Sequence, residues 1–190
     1  MPARLHSRET VLLRLGEVFR EHGYEGASLA HITKATELGK GSLYHAFPNG
    51  KADMAKAVLA NIDAWFKAHV FQPLGDETVA SMPAVEHMLD ACDEYFHGGG
   101  RVCLVGVFAL GETRDQFHLA VNGYFLRWLK ALVAALGRGG LSKAQCREQA
   151  EHILAGIQGA LVIARALDDT AVFTRELARL KSGLRVALSA

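Results

Sequence analysis

The stretch from Gly39 to Lys51 contains the residue types that most often bind phosphate or carry out acid–base catalysis. It reads GKGSLYHAFPNGK, so that glycines, lysines, a serine and a histidine flank a short apolar sequence. Three kinds of chemistry use such residues: a glycine-rich loop around a nucleotide phosphate, a catalytic Ser42/His45 pair, or a short helix that contacts a phosphate backbone.

The spacing excludes a nucleotide-binding P-loop. That loop requires the pattern GxxxxGK followed by serine or threonine. Neither Gly39-Lys40 nor Gly50-Lys51 is followed by such a residue, and neither has a glycine at the required earlier position. No strand pattern precedes either dipeptide, so the stretch is not predicted to bind a nucleotide.

A catalytic pair also lacks its necessary partners. Ser42 and His45 lie three residues apart on one predicted helix, but no nearby residue offers an orienting carboxylate or an oxyanion hole. The chain is therefore not predicted to be an enzyme. A helix that meets the phosphates of a nucleic acid is the remaining interpretation.

The composition bounds the class of protein. The chain has 190 residues, of which half are hydrophobic and 22% charged, enough for a sizeable core. Its net charge of +1 means that any basic patch must be local. No uninterrupted apolar run approaches the roughly 20 residues of a membrane span, and Met1 to His6 lacks the apolar stretch of a signal peptide. We therefore expect a cytoplasmic protein.

The periodicity of apolar residues predicts an all-α fold with about nine helices. No alternating strand pattern, repeat or low-complexity segment interrupts it. The predicted helical segments are residues 7–23, 28–36, 40–47, 51–71, 83–97, 102–110, 115–136, 142–167 and 170–183, with Gln72 to Gly75 as a break. We expect a three-helix helix-turn-helix domain in residues 1–50 and a larger helical domain in residues 51–190.

The sequence from Ser28 to Phe47 resembles the N-terminal signature of TetR-family transcriptional regulators. Phe19, Gly23 and Tyr24 before it, and Lys51 after it, also match. The resemblance covers about the first third of the chain. It implies a DNA-binding helix-turn-helix followed by a ligand-binding and dimerisation domain. The expected function is a homodimeric repressor that a small molecule releases from a palindromic operator.

The helix-turn-helix interpretation assigns a role to each residue of the signature. Apolar residues would hold the two helices together, while the exposed side of the third helix would enter the major groove or meet its phosphates. The predicted DNA-binding residues are Ser28, Lys40, Gly41, Ser42, Tyr44, His45 and Lys51. By resemblance, Tyr44 and His45 touch phosphate more often than base. Ser28 is expected to serve as a helix cap as well.

One residue departs from the family pattern. The turn position that usually holds glycine is Glu37 here. Because glutamate tolerates a left-handed backbone poorly, we expect either a distorted turn or a small loss of affinity, with the charge facing the DNA side.

Aromatic residues in the middle of the chain are candidates for a ligand pocket, with ordinary core packing as the alternative. The predicted pocket residues are Trp65, Phe66, Met88, Phe96, Cys103, Phe108, Phe117, Tyr124 and Trp128. No cluster of charged residues accompanies them, so the expected ligand is apolar or aromatic. A stripe of small and apolar residues predicts the dimer interface, with an intramolecular helix contact as the alternative; it comprises Gly156, Ala160, Ile163, Ala164 and Leu167.

Two further groups leave alternatives open. His87, Asp90, Glu94 and His97 share a helical face, which fits a metal site or an ordinary polar surface; we predict no metal or other cofactor. Cys103 follows Arg101 at the start of an apolar helix, where it would be either a reactive sensor thiol or a buried inert one. Cys92, Cys103 and Cys146 are too few and too far apart for a disulfide framework.

Overall fold

The computed structural model describes residues 7–111 and 115–189, and the regular structure in these residues is entirely helical. The helices are α1 (Arg8–Gly26), α2 (Leu29–Thr36), α3 (Lys40–Ala46), α4 (Lys51–Phe66), α5 (Gln72–Gly75), α6 (Ser81–Tyr95), α7 (Leu104–Leu110), α8 (His118–Gly137), α9 (Lys143–Leu167) and α10 (Ala171–Ser189). A π-helical turn, Lys67–Phe71, joins α4 and α5 without a break, and a 3-10 turn, His97–Gly99, follows α6. The predicted all-α fold is confirmed.

Three serines begin helices as predicted. The side chains of Ser7 and Ser28 accept hydrogen bonds from the backbone N–H groups of Thr10 and His31, 3.2 Å away in both cases. Ser142 and Gln145 form a reciprocal capping box at the start of α9. Each cap satisfies backbone donors that the helix itself leaves open.

Two predicted helix boundaries are wrong, each for its own local reason. Gly23 was expected to end α1, but the helical hydrogen bonding resumes beyond it and continues to Gly26. Gly23 has a φ of 67°, which glycine adopts without strain, so it interrupts the helix rather than ending it. Gln72 to Gly75 was expected to break the chain, yet it forms α5, because Pro73 lies in the first turn where its missing N–H is not needed.

The last helix is longer than predicted. α10 extends to Ser189, whereas its end was expected near Gly183 or slightly beyond it. Leu180 and Leu184 are both buried, so the apolar stripe continues past the glycine and keeps this end of the helix packed.

The chain forms two compact units: Met1–Ala64 with Leu104–Val121, and Trp65–Cys103 with Asn122–Ala190. The first unit is larger than residues 1–50, since it also contains most of α4 and all of α7. In it, α1 packs against α2 and α7. The Phe108 ring centroid lies 6.0 Å from Phe19 and 5.0 Å from Phe117, which in turn lies 5.1 Å from Tyr24. The predicted domain boundary at residue 50 stays a prediction.

The second unit has its own aromatic core. α9 and α10 pack along each other, and α10 also packs on α6. Phe66, Phe96 and Trp128 are completely buried there.

Two helices, α8 and α9, are long and apolar enough to span a membrane by length and composition alone. No uninterrupted apolar run of this length was expected from the sequence, and charged residues do interrupt both helices, as Arg127 and Lys130 do in α8. Averaged over 18 residues, however, the hydropathy of each helix reaches 1.3. Core helices of soluble proteins pass the same test, so this finding is weak evidence for a membrane span.

Candidate nucleic-acid interface

α2 and α3 are held together by a small apolar core. Ile32, Leu43 and Phe47 are no more than 2% exposed, and Leu29 is half-buried. Leu43 and Phe47 mark the buried side of α3, and the other side of this helix remains open to solvent. Burial of these side chains therefore fixes the angle at which α3 is presented.

The turn between the two helices is stabilised by Thr36. Its buried hydroxyl donates a hydrogen bond of 2.7 Å to the Ile32 carbonyl and accepts one of 3.4 Å from the Leu38 N–H. Glu37 follows with φ 58° and ψ 19°, the left-handed conformation. The distortion expected from a non-glycine residue at this position does not occur, since α2 and α3 form on either side of it.

The Glu37 carboxylate is directed toward α1. Its Oε1 atom lies 3.2 Å from Nη1 of Arg14. The same Arg14 nitrogen donates a hydrogen bond of 3.2 Å to the Ala35 carbonyl near the end of α2. The expected unpaired negative charge is therefore neutralised within the unit. No local sequence pattern pointed to Arg14, which sequence reasoning missed.

The open face of α3 carries the predicted contact residues. Lys40, Ser42 and His45 are exposed, and Tyr44 is 50% exposed. A Cβ atom built on Gly41 would have nothing within 4 Å, so the start of α3 presents bare backbone to solvent. Such a surface can approach a nucleic-acid groove closely.

Ser28, Tyr44 and Lys51 line one cleft of about 220 Å³. The start of α2 and the start of α4 both reach this cleft, so it lies where helix N-termini favour an anion. Gly50, which has a φ of 63°, also lines it. A Cβ atom there would lie only 3.3 Å from Cε1 of Tyr44, so glycine at this position leaves room for the tyrosine ring.

Lys51 is positioned by the end of α1. Its ammonium nitrogen donates a hydrogen bond of 3.2 Å to the Glu25 carbonyl and lies 4.6 Å from the centre of the Tyr24 ring. Close by, the Asp53 carboxylate accepts a hydrogen bond of 2.9 Å from the Asn49 N–H. Sequence reasoning missed this Asn49–Asp53 contact, although its i, i+4 spacing at a helix start was a usable signal.

Another contact missed by sequence reasoning is a stack of two histidines. The ring centroids of His22 and His31 are 4.0 Å apart with an interplanar angle of 19°. The stack joins α1 to the start of α2, on the unit that carries the cleft.

Comparison with protein families shows the class of protein to which this chain belongs. Residues 16–58 match the model for bacterial regulatory proteins of the tetR family, and residues 81–177 match the C-terminal domain of LmrA/YxaF-like transcriptional regulators. The chain belongs to the TetR family. It is therefore a DNA-binding transcriptional regulator, and its relatives are regulators rather than enzymes.

Individual TetR-family relatives agree. The chain is 33% identical to the transcriptional regulator AcuR of Cereibacter sphaeroides over 62% of its own length and 55% of AcuR, so it matches about half of that regulator. It is 27% identical to the transcriptional repressor DhaR of Mycobacterium sp. GP1, over 80% of this chain and 77% of DhaR. A solved structure of a CifR cysteine mutant, complexed with 26 bp of operator DNA, has a TM-score of 0.72 at 25% identity and covers 98% of both chains.

The residues predicted for the ligand pocket of this TetR-family chain are divided between the two units. Phe108 and Phe117 belong to the first unit, where they pack with Phe19 and Tyr24. The remaining candidates belong to the second unit and are buried except for half-buried Trp65; they are Phe66, Met88, Phe96, Cys103, Tyr124 and Trp128. The residue types alone did not indicate that these candidates belong to two different units.

The cysteines and the acidic face also have defined places. Cys92 and Cys146 are buried, and Cys103 is only 6% exposed, so the structure favours the inert alternative for Cys103. Asp90 forms an ion pair with Lys181. Within the described residues, no three His, Cys, Asp or Glu side chains are grouped to hold a metal ion.

The predicted dimer stripe on α9 faces in two directions. Ala160 and Ala164 are buried within the protomer, and a Cβ atom on Gly156 would lie 3.2 Å from Leu180 of α10. Gly156 thus lies in an intramolecular helix contact, the alternative given for this stripe, while the predicted dimer interface stays a prediction. Ile163 and Leu167 are 49% and 66% exposed, as is Val162 at 59%.

Proposed function

We propose that this TetR-family regulator is a homodimeric repressor that leaves a palindromic operator when a small molecule binds its C-terminal domain. The observation that carries the proposal is the cleft shared by Ser28, Tyr44 and Lys51, beside the exposed face of α3. A backbone phosphate would occupy the cleft while Lys40, Ser42 and His45 meet the major groove or its edge.

The chemistry of the cleft suits a phosphate. The Tyr44 hydroxyl and the Lys51 ammonium are donors, and the start of α2 adds the positive end of a helix dipole. Lys51 retains donor capacity, because an ammonium group has three N–H bonds and the Glu25 carbonyl takes one. The complex of CifR with operator DNA and the naming of DhaR as a repressor support the assignment.

A dimer follows from the geometry of such operators. Two recognition helices reach successive major grooves only when they belong to a symmetric pair. The exposed residues Val162, Ile163 and Leu167 place three apolar side chains within two turns of α9. Burying them against a symmetry mate would remove apolar surface from water and stabilise the dimer.

Release by a ligand would act through α4. This helix begins with Lys51 at the cleft and ends with Phe66 in the second unit. A ligand that binds one conformation of the second unit more tightly than the other would shift the equilibrium by that difference in affinity. The effector is expected to be apolar or aromatic, and the regulator is expected to act in the cytoplasm without a cofactor.

A gel shift with the promoter region beside the protein's own gene tests the proposal. We expect the wild-type chain to retard this DNA, and Tyr44→Ala and Lys51→Ala to weaken binding by at least about tenfold, as expected for lost phosphate contacts. Lys143→Ala, which removes an exposed lysine at the start of α9, is the charge-matched control. Full operator binding by both cleft variants would refute the site.

The same experiment separates the proposed function from its alternatives. A helical small-molecule binding protein without operator activity would fail to retard any fragment. An enzyme without operator binding would likewise fail to retard DNA, and a separate turnover assay would distinguish it from a binding protein.

A further inference from the structure

The aromatic rings of the second unit converge on Phe66. Its ring centroid lies 4.9 Å from Tyr95, 5.0 Å from Tyr124 and 5.2 Å from Trp128. Phe66, Tyr124 and Trp128 are each no more than 2% exposed. The rings thus form a buried, π-rich interior, where a flat aromatic guest would find both edge and face contacts.

The indole N–H of Trp128 is buried in this interior without a hydrogen-bond partner among the described residues. Leaving a buried donor unsatisfied costs roughly 1–3 kcal/mol. The position therefore favours an occupant that brings an acceptor oxygen. A charged carboxylate is a poor occupant, because its desolvation against aromatic rings would cost more than one hydrogen bond returns.

A π-helical turn, Lys67–Phe71, lies directly after Phe66. The Phe71 ring at its end lies 6.1 Å from Phe66 and 5.9 Å from Tyr124. A π turn contains one residue more than an α turn, and such turns occur frequently at functional sites. A guest beside Trp128 would have to displace neighbouring rings, and the π-helical turn that carries Phe71 is the segment that would have to move.

We propose that the second unit binds a neutral aromatic carbonyl compound, whose oxygen accepts a hydrogen bond from Nε1 of Trp128 while its ring packs against Phe66 and Tyr124. The inference rests on the proposed function, because it names the chemistry of the effector. It extends the sequence expectation of an apolar or aromatic ligand by requiring an acceptor and excluding a net charge.

Two probes of the same shape test the acceptor. Acetophenone carries a carbonyl oxygen, and ethylbenzene has a methylene group in its place. The chain contains two tryptophans, Trp65 and Trp128, so Trp65→Phe assigns the indole N–H resonance of Trp128 in ¹⁵N-labelled full-length protein. We expect acetophenone to shift that resonance downfield and ethylbenzene to leave it without a downfield shift. Acetophenone should bind about tenfold more tightly, the factor contributed by one neutral hydrogen bond.

Trp128→Phe removes the donor and keeps an aromatic ring. In this variant the tenfold preference should vanish, while the affinity for ethylbenzene stays unchanged. Equal binding of the two probes to wild-type protein would mean that water alone satisfies the indole, and would overturn the proposal. Absence of saturable acetophenone binding would do the same. The wild-type comparison remains decisive even when Trp128→Phe does not fold.

A gel shift of the operator with and without acetophenone distinguishes failure of the proposed ligand site from failure of the proposed repressor function. Operator binding that persists while the Trp128 resonance shifts supports the ligand site and contradicts release by that site. Loss of operator binding in the absence of any probe contradicts the proposed function and leaves the probe comparison intact.

Discussion

Arg14 and Glu37 form an ion pair that ties α1 to the helix-turn-helix turn. Nη1 of Arg14 lies 3.2 Å from Oε1 of Glu37 and 3.2 Å from the Ala35 carbonyl oxygen. One guanidinium nitrogen thus contacts both the end of α2 and the residue that reverses the chain. The pair neutralises Glu37, the acidic side chain of the turn. Without it, the surface predicted to bind DNA would carry an uncompensated negative charge together with its lysines.

Substitution of Glu37 should separate the backbone cost from the value of the ion pair. The side chains of Arg14 and Glu37 are 32% and 62% exposed, so their attraction contributes at most about 1 kcal/mol. A left-handed backbone costs a non-glycine residue about 1 kcal/mol. We therefore expect Glu37→Ala to destabilise the fold by about 0.5–1 kcal/mol, and Glu37→Gly to be about 1 kcal/mol more stable than Glu37→Ala.

Urea denaturation followed by circular dichroism measures both variants. Arg14→Met leaves the turn residue unchanged but removes both the ion pair and the hydrogen bond to the Ala35 carbonyl, so it should destabilise the fold at least as much as Glu37→Ala. Equal stabilities of Glu37→Ala and Glu37→Gly would show that the left-handed geometry at this turn carries no strain.

Local chemistry explains why the helix order and the serine caps could be predicted. Ser28 and Ser142 each accept a hydrogen bond from the backbone N–H three residues later, so their role as helix caps depends only on a short segment of sequence. The exposed face of α3 was predictable for the same reason, since Leu43 and Phe47 mark its buried side. Resemblance to the family then predicted which of the exposed residues would face DNA, and that assignment stays a prediction.

Tertiary packing accounts for what could not be predicted. Arg14 and Glu37 are distant in sequence, and no local sequence pattern around either residue indicates that they form a contact. Phe108 and Trp128 are both large aromatic residues in apolar helices, yet they belong to different units. Gly156 fits an intramolecular and an intermolecular helix contact equally well, until the position of Leu180 is known.

Gly41→Ala should weaken operator binding without harming the fold. The new methyl group would meet nothing within 4 Å in the free protein, and alanine is about 0.5–1 kcal/mol better than glycine inside a helix. Stability should therefore stay the same or rise. If backbone at the start of α3 approaches DNA closely, the methyl group must collide with it.

Parallel gel shifts and urea titrations test this difference. Gly137→Ala, at the end of α8, is the control, since its methyl group also meets nothing within 4 Å. Unaltered operator affinity in Gly41→Ala would place the DNA farther from this end of α3.

The cysteines should resist thiol reagents in the native state. Burial raises the pKa of the Cys92 thiol well above its ordinary value, and the neighbouring Cys103 adds to the shift. Because the thiolate is the reactive form, Cys92 stays protonated and slow at neutral pH. Cys103 and Cys146 are also buried. Titration with Ellman's reagent should detect three thiols after denaturation and few before it. Rapid labelling of Cys103 in folded protein, with release of operator DNA, would restore the sensor hypothesis.

Charged substitutions on α9 should dissociate the dimer. Ile163→Glu and Leu167→Glu place carboxylates on side chains that are exposed in the protomer, so each subunit should still fold. In a symmetric interface each substitution introduces two unpaired charges, which are costly to bury. Sedimentation should show monomers, and operator affinity should fall because one recognition helix contacts only half a site. Leu126→Glu on α8, 47% exposed in the parent chain, is the matched control and should remain dimeric. Intact dimers of both α9 variants would place the subunit contact elsewhere.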